Sequence, residues 1–193
     1  MKTLLEFQLT GSFDLLEKAT SGMTGEEWGT RAHAAVNLLG FTIWHSMRTI
    51  DWAVNGVAAC TGELADLPRW SFVKPSGAMF GAGLSVEEAD AIALAVGPTR
   101  MLSYADCLGQ QVLSWFRSLP AEDLDRIIDL RAAGLATRDH LQPAAWHEVE
   151  DLDRIPLWKF LARPAVSHIR VHYGEVMAQL QCVRAQAMAR GTR

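Results

Sequence analysis

The chain has 193 residues, 49% of them apolar, and a formal net charge of -4. That is enough for one domain, residues 1–193, with a sizeable core, and its scattered Lys and Arg exclude the basic patch that a nucleic acid requires. No run approaches the ~20 apolar residues of a membrane span, Glu6 and Asp14 interrupt any leader-like stretch, and Cys60, Cys107 and Cys182 stand unpaired, so a soluble cytoplasmic protein is expected.

The apolar periodicity is helical almost throughout. Residues 2–21 predict a first helix, with Leu5, Leu9, Phe13 and Leu16 facing inward. "TGEEW" follows, with Thr24 and Glu27 spaced as a capping box. Asn37 is the expected cap of a long second helix over 38–58, rich in Leu39, Ile43, Met47, Ile50 and Val54. Residues 61–84 carry Pro68, Pro75 and several glycines, which prevent a regular helix. Two readings fit this crossover: a lid over a pocket, or a strap pegged to the core by Trp70, Phe72 and Phe80. Ser85 can cap the helix that begins "VEEADAI". A third long helix is expected over 98–118, with a seam of Met101, Ala105, Leu108, Val112, Trp115 and Leu119. Residues 121–150 read as irregular with short turns. Pro156 suits a helix start, and Pro164 should kink or restart the chain. The last long helix is expected over 165–188. No segment alternates with period two. The expected architecture is therefore all-α: a four-helix bundle with a long crossover loop and short extra helices.

The last helix contains "AVSHIRVHYGEV", where Val166, Ile169, Val171 and Val176 read as buried. His168 and His172 stand four residues apart, about 40° around the axis, so both imidazoles can aim at one point. That is the chelating geometry of helical metal sites. Glu175 lies about 20° from His168, placed to orient an imidazole or to reach a neighbouring helix. A third ligand is available in the second helix, where His45 shares a stripe with Phe41, Arg48 and Trp52. The alternative for each histidine is a hydrogen-bonded core residue. His33, His140 and His147 lie in polar stretches and read as solvated. Arg48 and Asp51 can pair; the spacing predicts a helix-surface ion pair. Arg48 also shares the histidine stripe and is the candidate for holding an anionic substrate.

"WHSMRTIDW", "PRWSFVKPSGAMFGAGLSVEEADAI", "LSYADCLGQQVLSWFRSL" and "HIRVHYGEV" together resemble the DinB/YfiT-like superfamily of four-helix bundles, in particular its DinB_2 type. The order of the three histidines is the specific part of the likeness. The resemblance implies a divalent metal held by His45, His168 and His172, and a homodimer. Members with an assigned activity include thiol-dependent transferases and isomerases, so the resemblance also implies a low-molecular-weight thiol as co-substrate.

Three imidazoles leave a divalent ion its full charge and at least one open position. Such an ion lowers the pKa of a bound water or thiol. Zinc or nickel suits the donors. The expected function is therefore metal-dependent attack by a thiol or water on a small electrophile, with Trp44, Trp52, Trp70 and Phe80 as candidate pocket walls. The alternatives are a bundle that binds metal or a small ligand without turnover, and a dimeric interaction module. A catalytic site keeps an exchangeable ligand position, whereas a structural one is closed by protein.

Overall fold

The computed structural model describes residues 1–75, 78–132 and 143–191. The chain is predominantly helical. Helix α1 (Lys2–Ser21) buries Leu5, Leu9, Leu16 and Ala19. Phe13 is only partly buried; its ring covers Gly109, where an added Cβ would sit 3.3 Å away. Helix α2 (Gly25–Trp28) opens with the expected capping box: Glu27 N donates to Thr24 Oγ1 at 3.1 Å, and Thr24 N donates to Glu27 Oε2 at 2.8 Å. Trp28 is buried and donates its indole N–H to Ala93 O at 2.7 Å. Its ring lies directly on Gly40, where a Cβ would meet it at 2.3 Å.

Helix α3 (Leu39–Asp51) continues into a π-helical segment, Trp52–Ala58. Asn37 does not cap it. Leu38 takes that position without a side-chain bond, and Leu39 N donates instead to Thr30 O at 3.0 Å. A tertiary carbonyl thus satisfies a donor that the sequence assigns to a local cap. The crossover contains two 3-10 turns, Leu64–Asp66 and Pro68–Val73. It is strapped to the core: Val73 O accepts the Trp44 indole N–H at 2.8 Å, and Trp70 packs against Tyr104.

Helix α4 (Val86–Val96) carries the Ser85–Glu88 capping box, and Gly97 (φ 72°) turns the chain into α5 (Pro98–Ser118). The α5 seam departs from expectation at its end, where Phe116 is fully buried and Trp115 only partly. A helix of 3.6 residues per turn drifts about 20° per heptad against a 3.5 repeat, which moves the seam on by one residue.

The described residues of 121–150, namely 121–132 and 143–150, hold more order than expected. A 3-10 turn (Ala121–Asp125) leads to β1 (Ile127–Ile128), and α6 spans Pro143–Val149. Strand β1 pairs antiparallel with β2 (Ile155–Pro156), Ile127 opposite Pro156. Two-residue strands are too short to alternate visibly. Helix α7 (Leu157–Ala162) begins just after Pro156 and passes through a π-helical turn, Arg163–Ser167, into α8 (His168–Gly191). Pro164 therefore widens the helix instead of ending it. Val171 is exposed, 200° around from buried Ile169.

Helix α1 packs against α5 and α8, while α3 packs against α4, α5 and α8. One apolar cluster runs through these helices. No helix among the described residues is long and apolar enough to cross a membrane.

Candidate metal centre

The contact of α3 with α8 brings His45, His168 and His172 together. His45 Nε2 lies 3.1 Å from His168 Nε2, and His172 Nε2 lies 3.0 Å from the same atom. One nitrogen from each residue falls within 4.8 Å of the others. The rings meet edge to face, with centroids 4.4–5.0 Å apart.

The outer nitrogens decide what the inner ones present. His45 Nδ1 donates to the carbonyl of Phe80 at 2.5 Å. His172 Nδ1 donates to Glu175 Oε2 at 2.9 Å, and Glu175 in turn accepts from Gln179 Nε2 at 3.1 Å. A carbonyl and a carboxylate can only accept, so in the neutral rings both protons sit on Nδ1. Two bare Nε2 lone pairs then converge on His168 Nε2, and a single proton there can serve one of them well. His168 Nδ1 is buried without a hydrogen-bond partner.

Burial lowers His45 to about 4, against the pull of the Phe80 carbonyl. Burial, followed by the neighbouring His45 and His172, lowers His168 to about 3. Both rings are therefore neutral near pH 7 and keep their lone pairs. The hydrogen bond from His172 holds the Glu175 carboxyl below the usual carboxylate range. Three imidazoles, two of them backed by a carbonyl or a carboxylate, are the donor set of a borderline-soft divalent cation. Edges of 3.0 and 3.1 Å suit ligands placed about 2.0–2.1 Å from a shared ion. The residues present fit a metal.

A cleft of about 230 Å³ opens onto His45 and His168. Trp52, Phe80, Leu152 and Pro164 supply apolar walls, while Glu148 and Arg163 stand among its polar lining. Burial raises the Glu148 carboxyl above its ordinary value. Arg163 is paired with Asp151. Of the four expected wall residues, Trp52 and Phe80 line the cleft. Trp44 is buried in the core, and Trp70 packs on Phe72 and Tyr104.

Arg48 lies elsewhere. It is fully buried and absent from the cleft lining. Its Nη1 donates to Asp51 Oδ2 at 2.8 Å and to Tyr104 Oη at 3.2 Å, its Nη2 donates to Glu63, and its Nε donates to Met79 O at 3.2 Å. The Arg48–Asp51 pair forms, but in the core and not on a helix surface, with both side chains at 0% exposure. Asp51 is satisfied further by Tyr104 Oη (2.5 Å), Asn55 Nδ2 (2.7 Å), Leu64 N (2.8 Å) and Ala65 N (3.0 Å). His33 and His147 are exposed as expected; His140 lies outside the described residues.

The sequence reading missed two participants. The Phe80 carbonyl is a backbone group and leaves no side-chain signature. Glu148 falls in the stretch read as irregular; the inward spacing of Ala145 and Val149 is the one signal of its helix.

Comparison with protein-family models and with curated proteins finds no match for this chain.

Proposed function

We propose that this protein is a divalent-metal-dependent enzyme of the DinB/YfiT-like kind, with its four long helices arranged as that superfamily's bundle. His45, His168 and His172 hold the ion, zinc or nickel. The reaction is transfer of a low-molecular-weight thiol, or of water, to a small electrophile in the cytoplasm. The observation that carries this reading is the convergence of three imidazole Nε2 atoms beside an open cleft that His45 and His168 line. A structural site is closed by a fourth protein ligand, whereas this cleft leaves room for an exchangeable one. When bound, the ion supplies a lowered pKa for its ligand and so a nucleophile at neutral pH. The chain's own part is to keep His45 and His168 neutral by burial, to orient His45 and His172 through their outer nitrogens, and to wall off the nucleophile with Trp52, Phe80 and Pro164.

Metal analysis of the purified protein, followed by thiol titration of a cobalt-substituted sample, tests this. Stoichiometric metal and a sulfur-to-cobalt charge-transfer band that strengthens with pH are expected, because the thiolate is the ligand. A cobalt spectrum indifferent to thiols at every pH refutes the thiol reaction. The proposal includes a homodimer, for which Leu4 and Phe7 on α1 offer exposed apolar surface; a concentration-independent monomer in sedimentation refutes that part.

A further inference from the structure

Arg48 is buried outside the cleft lining, yet its contacts lead back to the centre. Its Nε donates to Met79 O, and the next carbonyl along the chain, that of Phe80, accepts from His45 Nδ1. Residues 45 and 48 rise about 4.5 Å apart along a helix, and adjacent Cα atoms lie about 3.8 Å apart, so consecutive carbonyls can meet both side chains at once. The crossover comes very close to α3 here. At Gly81 (φ 106°) a Cβ would lie 2.8 Å from the Phe41 ring and 3.1 Å from Trp44. Arg48 is itself fixed from three directions, by Asp51 on its own helix, Glu63 of the crossover and Tyr104 of α5. Asp51 also grips the crossover's start through Leu64 N and Ala65 N. The strap that delivers the Phe80 carbonyl is thus tied to α3 by buried charge at both of its ends.

A neutral imidazole carries its proton on whichever nitrogen has the acceptor. We infer that Arg48 is a positioning residue for the histidine centre: through Met79 it seats the Phe80 carbonyl, which holds the His45 proton on Nδ1 and turns the bare Nε2 toward His168. This role explains a guanidinium buried one turn from a candidate ligand without any access to substrate. It goes beyond the proposed reaction, because it concerns the preparation of a ligand in the metal-free protein.

The test is long-range proton–nitrogen NMR of the imidazoles in metal-free protein near pH 7.5, with metal affinity measured in parallel. The unmodified protein should have His45 in the Nδ1–H form; an Nε2–H form there overturns the inference without any variant. Arg48→Lys keeps a cation beside Asp51 and Glu63, but one ammonium cannot reach both carboxylates and Met79 O. It should shift His45 toward Nε2–H and weaken zinc binding at least tenfold. An unchanged tautomer with zinc affinity within twofold overturns the inference. Val112→Ala, in the α5 core, is the control for general destabilisation and should leave the tautomer alone; an equal shift in this control also overturns it. The tautomer is read without metal, so a protein that binds no divalent ion defeats the proposed function while the Arg48 inference stands or falls on the NMR result.

Discussion

Replacing Asp51 by Asn changes almost no volume, so it isolates the buried carboxylate. In the native protein Oδ2 accepts from Arg48, Tyr104 and Ala65 N, and Oδ1 accepts from Asn55 and Leu64 N. The amide that replaces one of these oxygens is a donor. In place of Oδ2 it faces two donors that cannot accept, Arg48 and Ala65 N; in place of Oδ1 it faces Leu64 N, while the Asn55 amide can turn its unpaired Oδ1 to accept. Each buried donor left unpaired costs about 1–3 kcal/mol. The Arg48 charge would retain only Glu63, and breaking one partner from a buried ion pair costs about 3–5 kcal/mol. These losses share the same groups and do not add. The expected destabilisation is about 3–5 kcal/mol, a large part of the roughly 5–15 kcal/mol that holds a domain together. Urea denaturation followed by tryptophan fluorescence and circular dichroism measures it, as a lower midpoint at constant slope. A loss below about 1 kcal/mol would refute the claim that this network supports the core. It would instead mean that the pair behaves like the exposed ones.

His172→Ala should abolish stoichiometric metal while leaving the helical circular dichroism intact, because most burial comes from Leu, Ile, Val and Trp; retained metal would count against the assignment. Burial lowers His45 to about 4 and His168 to about 3, so the unfolded chain binds more protons than the folded one from there up to about 6.5. Stability of the metal-free protein should be full above about 6.5 and should fall toward pH 4, with roughly 3 kcal/mol from His45 alone; urea midpoints in chelator-treated samples that stay flat across this window would contradict it. Gly40→Ala should destabilise by about 2 kcal/mol or more, since its Cβ would overlap the Trp28 ring at 2.3 Å, and thermal melts measure the loss.

What the sequence makes legible depends on how local the cause is. The long helices are legible because each buries a stripe that recurs with the helical period, and α1 and α5 match the expected ranges. The histidine cluster is legible because i, i+4 spacing within one helix fixes the relation of His168 to His172. The buried state of Asp51 is not. An Arg–Asp pair three residues apart has the same spacing in water or in a core, and what buries it are Glu63 and Tyr104, distant in sequence. The burial of Arg48, which keeps it out of the cleft lining, is hidden for the same reason. The missing Asn37 cap has a similar origin, because the Thr30 carbonyl that replaces it arrives through tertiary folding.

Both helices that carry the histidines break from α-helical winding beside the cleft, one after His45 and one before His168. The segments Trp52–Ala58 and Arg163–Ser167 touch each other, and each gives the cleft a wall, Trp52 and Pro164. In the second, His168 N bonds back to Arg163 O, five residues earlier. Pro164 has no N–H to give, so a wider turn is one way for the chain to remain helical past it. The turn also has a geometric effect. In an uninterrupted α-helix, Leu161 and His168 are seven residues apart and would lie within about 20° of each other on one face. Leu161 is fully buried in the core, whereas His168 must face the cleft. One residue absorbed by the π turn rotates everything downstream by about 100°. That rotation lets one continuous helix pack its α7 part into the apolar core and direct its α8 histidines toward His45. The proline that looks like an interruption in the sequence is thus part of what aims the site.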